Sequence, residues 1–184
     1  MVFNHPELIF KISMFAMENV GKETLFSKYI DGFLDYNGSM TLHGIAFASK
    51  DLQLYGKGIR NSVWIFASDF RERFNPLFRY SIKGNDGVLL MYDITNAKSL
   101  EWLSPCCQEI KNNLDYDPPI LLVGNKLDLE ENREISKEII EIFKENHDIS
   151  SSMEISLKTG ENVEEMFTEI TRMILTKRYP DVIK

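Results

Sequence analysis

The sequence is poor in cysteine: two residues, Cys106 and Cys107, adjacent to each other. Two cysteines exclude a disulfide framework and a four-cysteine zinc site. A reducing intracellular compartment is therefore expected. No apolar run approaches the roughly 18 residues of a membrane span. The opening residues, Met1 to Pro6, lack the charged and apolar regions of a signal peptide. Val2 excludes N-myristoylation, and no cysteine follows Cys107 to carry a prenyl group. A cytoplasmic chain without a membrane anchor of its own is the expectation. There is no basic excess either: 21 Lys and Arg stand against 28 Asp and Glu, a net charge of −7. A dedicated nucleic-acid binder would carry the opposite balance, so no nucleic-acid partner is expected.

What the chain does have is length and a globular composition. Its 184 residues suit one domain of roughly 100–200 residues, able to bury a core without staples. Hydrophobic residues make up 43% and charged residues 27%, which excludes wholesale disorder. There is no internal repeat, low-complexity segment or linker.

Strand and helix signals alternate. Ile9 to Ala16 reads as a buried strand, followed by a helix from Lys22 to about Ile30 and a loop over 31–41. Residues 43–55 and 59–67 read as an antiparallel hairpin joined by Gly56-Lys57-Gly58. Residues 68–83 are polar and irregular, with Pro76 near a helix start. Gly87 to Asp93 and Ile120 to Gly124 are continuous apolar strands. Leu100, Leu103, Cys107, Ile110 and Leu114 share a helical face, as do Ile135, Ile139, Ile140 and Phe143. Ser152 to Ser156 is a short strand. Asn162 and Glu165 have the spacing of a capping box for a last helix striped with Val163, Met166, Phe167, Ile170, Met173 and Ile174. The fold class is thus α/β: a six-stranded, mainly parallel sheet with one antiparallel edge strand and about five helices on both faces.

In such sheets ligands bind at the carboxyl ends of the strands, and three segments fall there. Ala16 to Thr24 has the spacing G-x-x-x-x-G-K-[ST] with alanine at the first glycine. In that pattern backbone N–H groups cradle phosphate and Lys22 reaches the outer phosphates. Glu18, Asn19, Val20, Gly21, Lys22, Glu23 and Thr24 are the candidate residues. Asn125-Lys126-Leu127-Asp128 follows a buried strand. The Asp128 carboxylate can accept two N–H bonds from guanine, Lys126 can lie along the base, and Asn125 can tie this loop to the first. Ser156-Leu157-Lys158 follows a third strand; the Leu157 N–H suits the base oxygen and the Lys158 stem its other face. Singly, each segment is matched by an ordinary polar turn. In this order, on one sheet edge, they are specific.

The chain resembles the Ras superfamily of small GTPases, and most of all its Rab-type members, over about residues 9–176. Gly87 to Thr95, Val123 to Leu129 and Ser156 to Val163 look like family signatures. Phe47 to Lys50 and Arg71 to Phe74 look like the Rab stretches flanking the interswitch hairpin. The resemblance implies a single P-loop GTPase domain that binds GDP or GTP. It also implies a protein partner at the switch-like segments 32–43 and 68–80.

The departures from the family pattern cluster at the phosphate end. Where the family has a Mg²⁺-ligating Ser or Thr stands Glu23, with Thr24 one position late. A carboxylate is a legitimate Mg²⁺ ligand. Without metal it repels the β-phosphate, by about 4 kcal/mol at 4 Å and an effective dielectric constant near 20. Ala67, Phe70 and Arg71 replace the family's metal-holding Asp, γ-phosphate-sensing Gly and water-orienting Gln. Glu18 stands where the family often has a small residue near the γ-phosphate. Thr41 has the family spacing from Lys22 for the metal-sensing Thr, whereas counting back from Phe47 gives Leu42. Phe33 and Tyr36 both suit the position that covers guanine. Candidate metal ligands are therefore Glu23 and Thr41. The expectation is a guanine-nucleotide-binding protein with slow or absent GTP hydrolysis. Its rivals are a working GTPase that uses Glu23 for Mg²⁺ and a nucleotide-free scaffold.

Overall fold

The computed structural model describes residues 5–33, 44–69, 79–114 and 116–183, with the side chains of 31–33 left aside. Strand β1 (Leu8–Ala16) is the spine of the sheet. Along it, Phe10, Ile12, Met14 and Ala16 enter one core, while Phe15 enters the other. The period of two thus works on both faces, because both are covered. Helix α1 (Lys22–Lys28) follows, then strands β2 (Asp31–Phe33), β3 (Ile45–Leu54) and β4 (Lys57–Phe66). Next come β5 (Gly87–Asp93), α2 (Ala97–Glu101), α3 (Leu103–Asn113) and β6 (Ile120–Asn125). A 3-10 helix (Leu127–Asn132), α4 (Lys137–His147), β7 (Ser151–Glu154) and α5 (Val163–Arg178) complete the chain.

The sheet order is β2-β3-β4-β1-β5-β6-β7. β1 pairs in parallel with β4 on one side and β5 on the other; β6 and β7 continue in parallel. β3 runs antiparallel to β4, as expected. The six expected strands are joined by a seventh, β2, which pairs antiparallel with β3 from Asp31 to Phe33. Those three residues had read as loop. Asp-Gly-Phe has no apolar period, and its pairing is supplied by β3. The hairpin turn is also tighter than expected: Leu54 pairs with Lys57, leaving only Tyr55 and Gly56 in the loop. Both have positive φ, 50° and 74°, the signature of a type I′ turn.

One core lies under α1 and α5, built on Leu25, Phe26, Phe167, Ile170 and Ile174. The other lies under α3 and α4, built on Leu103, Cys107, Ile110 and Ile140. Cys106 and Cys107 are both buried, and burial pushes the Cys107 thiol up to about 12, which fits packing rather than redox work. The expected helix around residues 100–114 is interrupted in its hydrogen bonding at Trp102, whose backbone stays helical at φ −60° and ψ −26°, between α2 and α3. Pro105 has no N–H to offer the Glu101 carbonyl, which accounts for the missing bond. The expected capping box is not made. Asn162 adopts φ 59° and its side chain donates to the Glu154 carbonyl at 2.9 Å, tying the loop to β7 instead of capping α5.

Candidate functional site

The loops leaving β1, β6 and β7 meet at one sheet edge. They enclose a cleft of about 360 Å³ lined by Asn19, Gly21, Thr24, Asn125, Asp128 and Lys158, among others. The chain crosses to one side of β1 for β4 and to the other for β5, so the strand ends diverge there.

Asn125 holds the cleft together. It is the last residue of β6 and almost fully buried. Its Nδ2 donates to the Val20 carbonyl at 2.7 Å, and its Oδ1 accepts from the Leu157 N–H at 3.0 Å. The expected tie between the base-side loop and the first loop is therefore present. Gly21 is required beside it. Its φ is 122°, and a Cβ there would stand 2.6 Å from Asn125 Nδ2. Val20 is buried in the α1–α5 core, while Glu18 and Asn19 are exposed.

The residues expected to read the base are gathered, with one departure. Asp128 accepts a 2.6 Å hydrogen bond from the buried Ser156 Oγ, and its other oxygen lies 3.4 Å from Lys158 Nζ. Those two contacts, Ser156 first, hold its carboxyl below the usual Asp value against the opposing effect of burial. The Lys158 side chain is largely exposed at the rim. Ser156 Oγ also accepts from the Thr159 N–H at 3.1 Å, which shapes the turn. Lys126 adopts φ 71° and turns its ammonium onto Asp93 at 2.6 Å, leaving its stem along the cleft. The Leu157 N–H is not free for a base oxygen as expected. It is taken by Asn125 Oδ1, which the end of β6 places beside it.

At the other end Lys22 is almost completely buried, and its Nζ donates to the carbonyls of Ala16 at 2.8 Å and Met17 at 2.7 Å. Burial lowers its pKa, while the charges of Glu23 and then Glu18 raise it. Glu23 is exposed in the first turn of α1. Glu18 Oε1 accepts from Ser68 Oγ at 3.2 Å. Thr24 lines the cleft; Glu18, Lys22 and Glu23 are not part of its lining. The second candidate metal ligand, Thr41, lies outside the described residues, as do Leu42, Tyr36, Phe70, Arg71 and Pro76. Among the described residues no group of three or more His, Cys, Asp or Glu side chains is placed to hold a metal ion.

Several participants were missed from sequence. Lys28 and Leu129 line the cleft, Asp93 holds Lys126, and Tyr29 donates to the Leu157 carbonyl at 3.1 Å. Lys28 alone had a local signal: it stands four residues after Thr24 on the same helix face.

The sequence matches the Ras family over residues 11–176. The chain belongs to the Ras family. It is 35% identical to Ras-related protein Rab-4 of Dictyostelium discoideum over 173 residues, 94% of this chain and 82% of that one. It is 33% identical to Ras-related protein Rab-10 of Diplobatis ommata, covering 93% and 84%. It is 31% identical to Ras-related protein Rab-8B of Homo sapiens, covering 93% and 81%. This is a Rab-like small GTPase by family, and its sheet is consistent with the Ras-like P-loop GTPase fold. Members of the Ras family bind guanine nucleotides. Along the cleft of this member lie Asp128, Lys126 and Lys158, on loops that Asn125 pins together. Among the described residues no helix is long and apolar enough to cross a membrane.

Proposed function

We propose that this Ras-family chain is a cytoplasmic single-domain protein that binds guanine nucleotide in the cleft beside Asn125, hydrolyses GTP slowly or not at all, and works by engaging a protein partner. The observation that carries this reading is Asp128, held ionised by Ser156 and Lys158 at the mouth of a cleft that Asn125 closes. A guanine edge offers the paired N–H donors that such a carboxylate accepts. Asn125, Lys126, Asp128, Ser156, Leu157 and Lys158 form the base end; Asn19, Val20, Gly21, Lys22 and Thr24 form the phosphate end. When bound, the nucleotide supplies the phosphate whose transfer to water is the family's reaction.

Slow hydrolysis follows from what position 67 offers. Ala67 has no carboxylate for a metal, and its N–H is bonded to the Gly44 carbonyl at 2.8 Å. A protein partner at segments 32–43 and 68–80 is supported by an aromatic patch on β3 and β4, beside Phe33, the last described residue of the first segment. Phe47, 45% exposed, stands edge-on to Trp64 at 4.7 Å, and Lys11 Nζ lies 3.9 Å from the Trp64 ring centre. Lys11 also bonds the Ser81 carbonyl, next to the exposed Tyr80.

The test is to denature the purified protein, with and without prior EDTA, and identify released nucleotide. Single-turnover hydrolysis of added GTP is then measured. Guanine nucleotide with negligible turnover is expected. No released nucleotide and no thermal shift with GDP or GTP would favour the scaffold. Turnover at the rate of ordinary small GTPases would refute the catalytic half of the proposal.

A further inference from the structure

A second cleft, of about 340 Å³, opens at the β7 edge of the sheet. Glu154 of β7 lines it, with Lys137, Ile140 and Glu141 from α4 and Tyr92 from β5. Tyr92, Gly124 and Glu154 stand side by side on β5, β6 and β7. Gly124 lets the Tyr92 ring lie across β6: a Cβ there would stand 2.7 Å from the hydroxyl oxygen. The ring end therefore reaches toward β7 and the cleft. Tyr92 is completely buried, and its hydroxyl has no hydrogen-bond partner among the described residues. Burial first, and then the Glu154 charge, raise its pKa, so it remains a neutral donor. Phenylalanine would fill the same space without leaving a buried polar group unmatched.

The carboxylates that line the cleft are already taken. Arg133 bonds both oxygens of Glu154, at 2.7 and 2.8 Å, and Lys144 bonds both oxygens of Glu141 at 3.0 Å. Lys137 differs. It is exposed in the first turn of α4, and among the described residues no hydrogen bond or ion pair holds its ammonium. Its charge is felt by Glu138 and Glu130, neither of which lines the cleft. The uncommitted groups are thus a buried donor and an exposed cation, with apolar lining from Leu127, Ile140 and Met153. The geometry points to a second binding site here, for a small organic carboxylate: its carboxylate pairs with Lys137, its apolar body lies on Ile140, and an acceptor at its far end takes the Tyr92 hydroxyl hydrogen. This site is separate from the cleft beside Asn125 and does not depend on the guanine-nucleotide reading.

Para-hydroxybenzoate carries all three features. Benzoate lacks the far acceptor, and para-hydroxybenzamide lacks the charge. Each is titrated into the full chain and into Tyr92→Phe and Lys137→Gln, followed by the amide NMR signals of Ile140 and Ser152. A Kd of about 1 mM is expected for para-hydroxybenzoate. Benzoate and para-hydroxybenzamide are each expected to bind at least about threefold more weakly. Tyr92→Phe is expected to erase the first difference and Lys137→Gln the second, each leaving the other in place. Absence of a shift at both amides with para-hydroxybenzoate at about ten times that Kd overturns the site. A difference that its own variant leaves unchanged overturns the assignment of that contact. Shifts confined to residues 19–24 and 125–128 mean occupation of the other cleft only, and overturn the site as well.

Discussion

Replacing Asn125 with alanine is the substitution that most directly tests the architecture of the cleft. The Asn125 side chain is almost fully buried, and it satisfies two backbone groups from segments far apart in sequence, the Val20 carbonyl and the Leu157 N–H. Alanine leaves both without those partners. A buried polar group stripped of its partner costs about 1–3 kcal/mol, so two give roughly 2–6 kcal/mol at face value. The cleft lies alongside and admits water to part of the gap, which places the expected loss at about 2–3 kcal/mol. For a chain of this size that lowers the melting temperature by roughly 5–10 °C. Asn125→Asp keeps an acceptor for Leu157 but faces the Val20 carbonyl with a carboxylate, so it is expected to cost at least as much. Lys158→Ala, at the exposed rim, is the control and is expected to change stability by less than about 0.5 kcal/mol. Urea unfolding of the nucleotide-free proteins measures all three. A loss below about 0.5 kcal/mol for Asn125→Ala would refute the claim that this side chain fastens the loops together.

Two further outcomes follow from single groups. The Tyr92 hydroxyl is fully buried, lies over Gly124 and has no hydrogen-bond partner among the described residues, so Tyr92→Phe is expected to be neutral or stabilising by up to about 1 kcal/mol in urea unfolding. A loss above that size would mean the hydroxyl is in fact bonded. Ser156 and Lys158 depress the Asp128 pKa, so the stability it contributes is present above its unfolded value near 4 and is lost only as pH falls through the lower folded value. Unfolding measured from pH 6 to pH 3 should therefore show an acid limb that Asp128→Asn flattens, and an unchanged limb would contradict the assignment.

The sheet was legible wherever the apolar pattern is set by both cores at once. β5 and β6 are continuous apolar runs because each alternate residue meets a covered face, Leu89 and Met91 on one side, Val88 and Leu90 on the other. β2 carried no such pattern, because its pairing depends on β3 across the sheet edge. Asn162 and Glu165 had the spacing of a cap. The cap lost because Asn162 found a carbonyl on β7, a tertiary partner that spacing does not encode. Nor does the charge-rich run from Glu130 to Glu134 announce that Arg133 within it bonds both Glu130 and Glu154, its side chain only 14% exposed. In the site, motif spacing placed the loops and the Asn125 tie correctly. It could not show that Lys126 turns to Asp93, that Leu157 gives its N–H to Asn125, or that Glu18 meets Ser68 fifty residues away.

Those bonds change what an intact guanine-reading edge means. Asn125 and Ser156 are each occupied by the fold itself: one joins two loops, the other shapes the turn after β7 and anchors Asp128. A scaffold that never met a nucleotide would still need both. Their presence therefore does not separate a nucleotide-binding chain from an inert one. Asp128 does. One of its oxygens is held by Ser156, while the other lies 3.4 Å from the 75% exposed Lys158, a surface pair worth little to stability. A carboxylate kept ionised at the mouth of a cleft, with its second oxygen toward the exposed rim, is placed to accept donors from a ligand. Loss of guanine binding in Asp128→Asn with a stability loss no larger than its Ser156 bond supplies, set against the larger loss at Asn125→Ala, is the pattern that belongs to a nucleotide site and not to a scaffold.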